Sequence, residues 1–414
     1  MKMLPENFRA RLLPIALGQV IGMGCGVIGV KISSQLVAPA DYGRYGLFLT
    51  LTPLGMWVVH AGLIKFTGRH WGGSAQRSGL LHEIVPAFLR KLPWLALAAA
   101  AVTLALTPVD RLAVFGLLFV ATTFLSATAV VQAALQSARQ HWPDCGIASV
   151  SSVTRTFLPL LLYYAVSGTA LALYAGIGLH ALLVAGVAAL ALRAHWQKPA
   201  VAAAPQITEV YDGPLFVILA VAGWIMGGLN RWIVAAFFGA TTAGYFVLAG
   251  NLAMIVAALL GIIFIQYFQP GFFAAPTATG DDRRALARHV DRVALGYWGS
   301  ALAGLTLLQV LAPRLVGGFI NENYRPALPY VMPAGFFLTA LLTGSFYHSM
   351  LLAAKRERAC APVDLSSYAV LALGCGLAPA LGGETGLRWW LLAAPAVPWL
   401  LNRPLARHYL LTPA

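Results

Sequence analysis

Three basic residues interrupt apolar runs of this sequence that are long enough to cross a bilayer. Lys31 lies in the run 12–37, Arg155 in the run 146–166 and Arg231 in the run 215–238. An ionisable side chain in hydrocarbon is costly, so a residue of this kind is a functional candidate by default. Ammonium and guanidinium groups bind phosphate and carboxylate oxygens through charge-assisted hydrogen bonds, and the pattern therefore predicts an anionic ligand.

Depth within the run separates Arg155 from the other two cations. Arg155 lies nine residues into its run, which places it roughly 13 Å deep at 1.5 Å per residue. A side chain at that depth reaches neither membrane surface easily, so we favour a position facing a wet cleft over a structural ion pair. Lys31 and Arg231 lie nearer the ends of their runs, where the two interpretations are about equally supported.

A weak internal repeat relates Lys31 to Arg231. An offset of 200 places Lys31 on Arg231 and Tyr45 on Tyr245, and it aligns LVAPADYGRYGLFL with AFFGATTAGYFVLA. Each segment is a short glycine-containing turn between two apolar arms. Equivalent cations in two such arms are typical of a duplicated transporter half, and this favours a shared functional role.

Amide side chains accompany these cations. Gln35 lies one helical turn from Lys31, Asn230 adjoins Arg231, and Asn251 lies in the following run. Each amide could instead form a hydrogen bond between helices, which is the commoner use of a lone amide in a membrane. The candidate substrate-binding set is Lys31, Gln35, Arg155, Asn230, Arg231 and Asn251.

The elements that must position these residues are twelve apolar runs. The chain has 414 residues, of which 59% are hydrophobic and 10% charged, against about 25% charged in soluble domains. The runs are continuous rather than alternating, which predicts membrane-spanning helices and excludes a barrel. They are 12–37, 46–64, 86–107, 112–135, 146–166, 170–192, 215–238, 244–268, 293–311, 330–354, 363–382 and 387–402.

The distribution of Lys and Arg predicts the orientation of the chain. One set of alternating connections, with both termini and the start of the run 86–107, holds 20 of the 28 basic residues. The opposite set holds five, and three lie deeper inside runs. Basic residues concentrate on the cytoplasmic side, so both termini are predicted to be cytoplasmic. The net charge of +14 therefore reflects topology, and we expect no nucleic-acid partner.

Signatures of enzymes, cofactors and metals are missing from the sequence. It contains no nucleotide-binding loop and no zinc motif, and its four cysteines have neither metal nor redox spacing. We predict no catalytic residue, no metal and no cofactor. Acidic residues are almost excluded from the runs, the exception being Asp364 at the start of the run 363–382, and this again favours an anionic substrate.

Three local patterns resemble the polysaccharide (O-antigen type) flippases of the MATE-like multidrug/oligosaccharidyl-lipid/polysaccharide exporter superfamily. They are LVAPADYGRYGLFLTL, YDGPLFVILAVAGWIMGGLNRWIVAAFFGATTAGYF and FINENYRPALPYVMPAG, in order along the chain. Together with length and duplication, the resemblance covers nearly the whole sequence.

The resemblance implies an all-α, polytopic membrane protein with twelve transmembrane helices in two pseudo-symmetric six-helix lobes, 1–205 and 206–414, around a V-shaped central cavity. Such proteins move undecaprenyl-pyrophosphate-linked oligosaccharides across the bacterial inner membrane by alternating access. The resemblance assigns cavity positions to Lys31, Arg155 and Arg231. It also implies a monomer whose partners are membrane lipids, the lipid-linked oligosaccharide and the polysaccharide polymerase machinery.

Two other functions are compatible with parts of the sequence. A MATE-like, ion-coupled exporter of small molecules would have the same fold, although the first run lacks a carboxylate. An integral-membrane glycosyltransferase or polymerase could use Asp41 in the first outer loop, but such enzymes need longer outer loops than the longest here, about 312–329. Asp41 is more simply a turn residue.

Overall fold

The computed structural model is built from helices that are long enough to span a membrane. The structure describes residues 6–71, 77–106, 110–193, 214–275 and 279–412. The helices are α1 (Glu6–Leu36), α2 (Pro39–Leu51), α3 (Ala61–His70), α4 (Arg77–Leu106), α5 (Arg111–Ser137), α6 (His141–Leu162), α7 (Ala170–Leu192), α8 (Pro214–Ala274), α9 (Gly280–Leu315), α10 (Val331–Ala353), α11 (Glu357–Ala393) and α12 (Arg403–Leu411). The prediction of an all-helical, multi-pass membrane protein is confirmed.

Nine helices in the described ranges are long and apolar enough to cross a membrane, and a bent pair, Pro39–Val59 with Ala61–Gly68, makes a tenth. Two of the nine each cover two predicted spans in whole or in part, although the run 387–402 extends beyond the end of α11 at Ala393. The 61-residue α8 has a non-helical residue at Gly239, with φ 83° and ψ 174°. The 37-residue α11 has another break at Gly382 and Gly383. Most predicted spans therefore correspond to helical segments, with residue 107 outside the described residues. Two runs are interrupted: 46–64 by a bend of 61° between Val59 and Ala61, and 387–402 by a turn at 394–395.

Contacts between residues divide the chain into two compact units. Unit 1 comprises residues 1–37 and 47–224, and unit 2 comprises 38–46 and 225–414. The predicted lobe boundary at 205/206 lies outside the described residues. The short segment Ala38–Gly46 belongs to unit 2, although it is distant in sequence from the rest of that unit.

In unit 1, α1 packs on α6, α6 on α7 and α5 on α7. Small residues bring these helices close together, as is usual where no water drives association. A Cβ at Gly29 of α1 would lie 2.7 Å from Thr156 Cγ2 of α6, and one at Gly22 would lie 3.3 Å from Ser152 Oγ. The contacts advance along both helices together, so α1 and α6 run parallel.

In unit 2, α10 packs on α9 and α11, and the final helix α12 packs on α9, α10 and α11. An apolar core of large side chains joins these helices, including Tyr297, Phe346 and Tyr347. The segment after the last predicted run, which ends at residue 402, thus contains a docked helix, α12. A π-helical turn, Pro398–Asn402, precedes it.

Candidate functional site

Arg155 lies near the middle of a candidate span in unit 1. The span comprises His141–Ser167, and Arg155 is 14 residues from its start, about 21 Å along a helix. Its side chain is exposed. Within the described ranges, no carboxylate lies at ion-pair distance from it. The guanidinium therefore retains the capacity to bind an anion.

A histidine that the sequence did not single out adjoins Arg155. His180 of α7 is 1% exposed, and its Nδ1 lies 2.8 Å from Thr154 Oγ1 of α6. The Thr154 hydroxyl also donates to the Val150 carbonyl, 2.7 Å away. Arg155 is close enough to His180 for the two to interact electrostatically. No pattern in the sequence indicated this grouping, because position 180 is 25 residues from Arg155 on another helix.

Lys31 and Gln35 lie together on α1, one helical turn apart, and both are exposed. They do not face Arg155. Gly29 marks the side of α1 that contacts α6, and two further residues rotate the helix by about 200°. Lys31 therefore lies on the side of α1 away from α6. Lys31 and Arg155 thus lie on two helices that pack together, but Lys31 lies on the face of α1 that is turned away from α6.

Asn230 and Arg231 lie in the first half of α8, in unit 2. Asn230 is 7% exposed, and its Oδ1 accepts a hydrogen bond from the Arg231 backbone N–H at 2.8 Å. The amide oxygen is thus engaged locally. Arg231 is half-buried, eight residues before the break at Gly239. Lys31 holds a similar position in α1, which ends at Leu36.

Asn251, in the second half of α8, bonds to a residue of the first repeat. Its Nδ2 donates to the Tyr42 hydroxyl at 2.8 Å. The Tyr42 ring is 3% exposed and packs edge-on against Tyr324, with ring centroids 6.1 Å apart. The Tyr245 ring also packs edge-on against Tyr324, with ring centroids 6.1 Å apart. Tyr324 therefore lies between the tyrosines of the two turns.

The two turns of the predicted repeat cross each other inside unit 2. A Cβ at Gly43 would lie 2.0 Å from the Ala240 carbonyl oxygen, and a Cβ at Gly244 would lie 1.8 Å from the Pro39 carbonyl oxygen. The offset of 200 places Gly43 one residue from Gly244, and it places Pro39 one residue from Ala240. Each segment therefore makes the same kind of contact with the other. The crossing has the local two-fold character expected of a duplication.

Two acidic residues of unit 2, Asp291 and Glu384, have protein partners. Asp291 accepts hydrogen bonds from Arg403, Arg407 and Tyr347. Glu384 accepts from the Tyr330 hydroxyl at 2.7 Å. In the ranges that the structure describes, no cluster of three or more histidine, cysteine or acidic residues could hold a metal ion. All four cysteines are buried and free, as expected of small core residues.

Solved transporter structures share this fold. The chain superposes on "Lipid II flippase MurJ, inward closed conformation" with a TM-score of 0.62 and 12% identity, covering 96% of this chain and 86% of that one. It superposes on the MATE multidrug transporter DinF-BH with a TM-score of 0.64 and 12% identity, covering 97% and 94%. For an inward-facing multidrug resistance MATE transporter of the MOP superfamily, the TM-score is 0.60 with 14% identity, covering 98% and 100%.

Neither a protein-family model nor a curated protein matches the sequence. The structural likeness therefore establishes a MATE- and MurJ-like fold for a multi-pass membrane protein. The three proteins named above are transporters or flippases rather than enzymes.

Proposed function

We propose that this protein is a flippase that moves an undecaprenyl-pyrophosphate-linked oligosaccharide across the bacterial inner membrane by alternating access, with both termini in the cytoplasm. The observation that carries the proposal is the position of Arg155. Arg155 lies near the middle of a candidate span, and its side chain is exposed. Among the described residues, no carboxylate pairs with it. Such a group suits the transient binding of an anionic headgroup.

The chemistry of a pyrophosphate fits an arginine better than a lysine. A guanidinium presents a planar fork of donors that can engage two phosphate oxygens at once, whereas an ammonium acts as a point charge. We assign Arg155 and Arg231 to the pyrophosphate and to acidic sugars, with Lys31 as a further cation. The polyprenyl tail stays in lipid, and the anionic part of the substrate binds to these cations.

The three amide side chains are expected to contribute to substrate binding in different ways. Gln35 is exposed beside Lys31 and can bind sugar hydroxyls. The Asn230 oxygen and an Asn251 donor already have protein partners, so their role in substrate binding uses their remaining hydrogen-bonding capacity.

Complementation of a flippase-null bacterial strain tests the proposal. Arg155→Ala and Arg231→Ala are expected to abolish complementation while membrane levels of the protein stay normal. Arg314→Ala is a matched control, because Arg314 is exposed in the last turn of α9, and it should complement fully. Full complementation by both Arg155→Ala and Arg231→Ala would overturn the proposal.

A MATE-like exporter of small molecules is the second candidate. The TM-score of 0.64 with a multidrug transporter favours it to a similar degree as the 0.62 with a lipid II flippase. Expression in a drug-sensitive strain separates the two functions. Drug resistance that is lost on substitution of Arg155, without complementation of the flippase-null strain, would favour export.

A further inference from the structure

A histidine and a carboxylate meet inside unit 2 between two candidate spans. His348 Nδ1 of α10 lies 2.6 Å from Asp364 Oδ2 of α11. A nitrogen and an oxygen this close must share a proton, because two lone pairs would repel each other. In the neutral ring, Nδ1–H therefore donates to the carboxylate, and Nε2 keeps an unprotonated lone pair.

The partners of two other acids in unit 2 distinguish this pair from them. Asp291 is held by two arginines and a tyrosine, and Glu384 by the hydroxyl of Tyr330. Arginine and tyrosine keep their protons near neutral pH, so the interactions of Asp291 and Glu384 do not change their protonation there. Histidine is the side chain whose ordinary titration falls between about pH 5 and 8.

We propose that His348 and Asp364 form a proton-binding site within the membrane-spanning part of the protein. The incoming proton adds to Nε2 of His348, while Nδ1–H remains bonded to Asp364. The charge of the pair changes from one negative charge to none, and proton loss reverses the change. No covalent bond other than N–H forms or breaks.

The two members of the pair differ in exposure. The side chain of Asp364 is 10% exposed and that of His348 is 34% exposed, so the histidine is the more accessible member. His348 lies five residues before the end of α10 at Ala353, about 8 Å along the helix. The distribution of basic residues predicts this end to be cytoplasmic, so protons would enter from the cytoplasm.

A hydrogen-bonded network fixes the backbone next to the pair. Asn402 is 2% exposed, accepts from Ser367 Oγ and donates through Nδ2 to the Val363 carbonyl at 3.5 Å. Asn402 ends the π-helical turn before α12, and π-helical turns occur frequently at functional sites. The carbonyl next to Asp364 is thereby joined to the segment leading into α12. A change of charge at the pair has a route to that segment.

Other ionisable groups lie on the elements that pack against the pair. Cys360 Sγ lies 3.9 Å from the His348 carbonyl oxygen, and Tyr368 is close enough to Asp364 to interact electrostatically. Lys355 and Arg356 lie in the turn between α10 and α11. Four further groups bond among themselves: Asp291 of α9, Tyr347 of α10, and Arg403 and Arg407 of α12. His289 lies on α9 and His408 on α12.

The proposal does not depend on which substrate is transported, so its test uses protons alone. Infrared difference spectra are recorded on the full-length protein in lipid nanodiscs as the pH changes from roughly 10 to 5, because an adjacent carboxylate favours the protonated form of a histidine. Protein containing ¹³C-labelled aspartate separates aspartate bands from the rest. The wild-type protein is expected to show a change in the imidazole ring bands coupled to a shift of one aspartate carboxylate band.

Substitutions assign the signal to the pair. Asp364→Asn and His348→Gln should each remove the coupled change, whereas Asp291→Asn, at a carboxylate bonded to arginines, should retain it. Spectra of Asp364→Asn and His348→Gln that match the wild type would overturn the proposal. If neither variant folds, the wild-type protein still decides, since a lack of any aspartate carboxylate shift over this range contradicts the site.

Discussion

Gly43 and Gly244 lie backbone against backbone where the first turns of two helical segments cross. A Cβ on Gly43 would lie 2.8 Å from the Gly244 nitrogen, and a Cβ on Gly244 would lie 3.2 Å from the Gly43 nitrogen. Each hypothetical Cβ would also approach a carbonyl oxygen of the opposite segment to 2.0 Å or less. Real Cβ atoms do not come this close to other atoms, so glycine is required at both positions. The crossing joins the turn after α1 to the corresponding turn of α8.

Alanine at either crossing glycine is expected to destabilise unit 2. The new methyl group would meet a backbone carbonyl, which cannot rotate away as a flexible side chain can. We expect a loss of about 1–3 kcal/mol or more for Gly43→Ala and for Gly244→Ala. Thermal unfolding of the purified protein in detergent measures the loss. Gly250→Ala is the control, because a Cβ there meets nothing within 4 Å, and unchanged unfolding of the Gly43 and Gly244 variants would contradict the crossing.

The membrane-spanning helices could be predicted from sequence because the bilayer fixes their length. About 20 apolar residues are needed to cross the hydrocarbon, and runs of this size are visible without any knowledge of packing. The break predicted between 238 and 244 falls at Gly239, and the break between 382 and 387 falls at Gly382 and Gly383. Both breaks coincide with glycines, whose backbone can leave the helical conformation at little cost.

The faces and partners of the polar residues could not be predicted in the same way. Gln35 and Lys31 share a face by local spacing, and the structure places them so. The contact between Asn251 and Tyr42, however, joins residues 209 positions apart. The neighbour of Arg155, His180, lies on another helix. Such contacts depend on how helices pack, and an apolar run carries little information about its rotation.

The hydrogen bond between Asn251 and Tyr42 is expected to stabilise the protein. Tyr42→Phe removes the acceptor and leaves a partly buried amide donor unsatisfied, at a cost of about 1–3 kcal/mol. Asn251→Ala removes the other partner. A double-mutant cycle on thermal stability should give a coupling energy of about 0.5–3 kcal/mol between the two positions.

Transport by the same variants separates structure from substrate binding. If Asn251 also binds substrate, Asn251→Ala should reduce complementation more than Tyr42→Phe does at equal protein levels. Equal reductions in complementation by the two variants would indicate that Asn251 acts only through its hydrogen bond with Tyr42.

The docking of α12 is expected to depend on Asp291. This carboxylate, with a side chain 13% exposed, accepts hydrogen bonds from two arginines of α12, Arg403 and Arg407. Asp291→Asn leaves both guanidinium groups without their counter-charge, and we expect a loss of about 1.5–3 kcal/mol. Limited proteolysis should then cleave more rapidly within α12.

A surface pair on the same helix provides the control for Asp291. Asp281 pairs with Arg284, but its side chain is 91% exposed, and exposed pairs contribute little. Asp281→Asn should therefore leave the cleavage rate unchanged. Equal protection of α12 in the wild type and in Asp291→Asn would show that apolar contacts alone hold this helix.

The hydroxyl of Thr154 is expected to matter for both stability and transport, because it bonds to His180 next to Arg155. Thr154→Val keeps the shape of the side chain but leaves the buried His180 Nδ1 without this partner, at a cost of about 1–3 kcal/mol. A ring released from Thr154 also changes the surroundings of the guanidinium. We therefore expect Thr154→Val to complement a flippase-null strain less well than the wild type and better than Arg155→Ala.

Two variants on α6 isolate the contribution of that hydroxyl. Thr154→Ser keeps the hydrogen bond and should restore both unfolding temperature and complementation. Ser152→Ala removes a hydroxyl whose bond goes to a carbonyl of its own helix, Ala148, at 2.9 Å, and it should have a smaller effect on stability. If Thr154→Val and Ser152→Ala behave alike in both measurements, the contact with His180 contributes nothing specific, and Arg155 acts without support from α7.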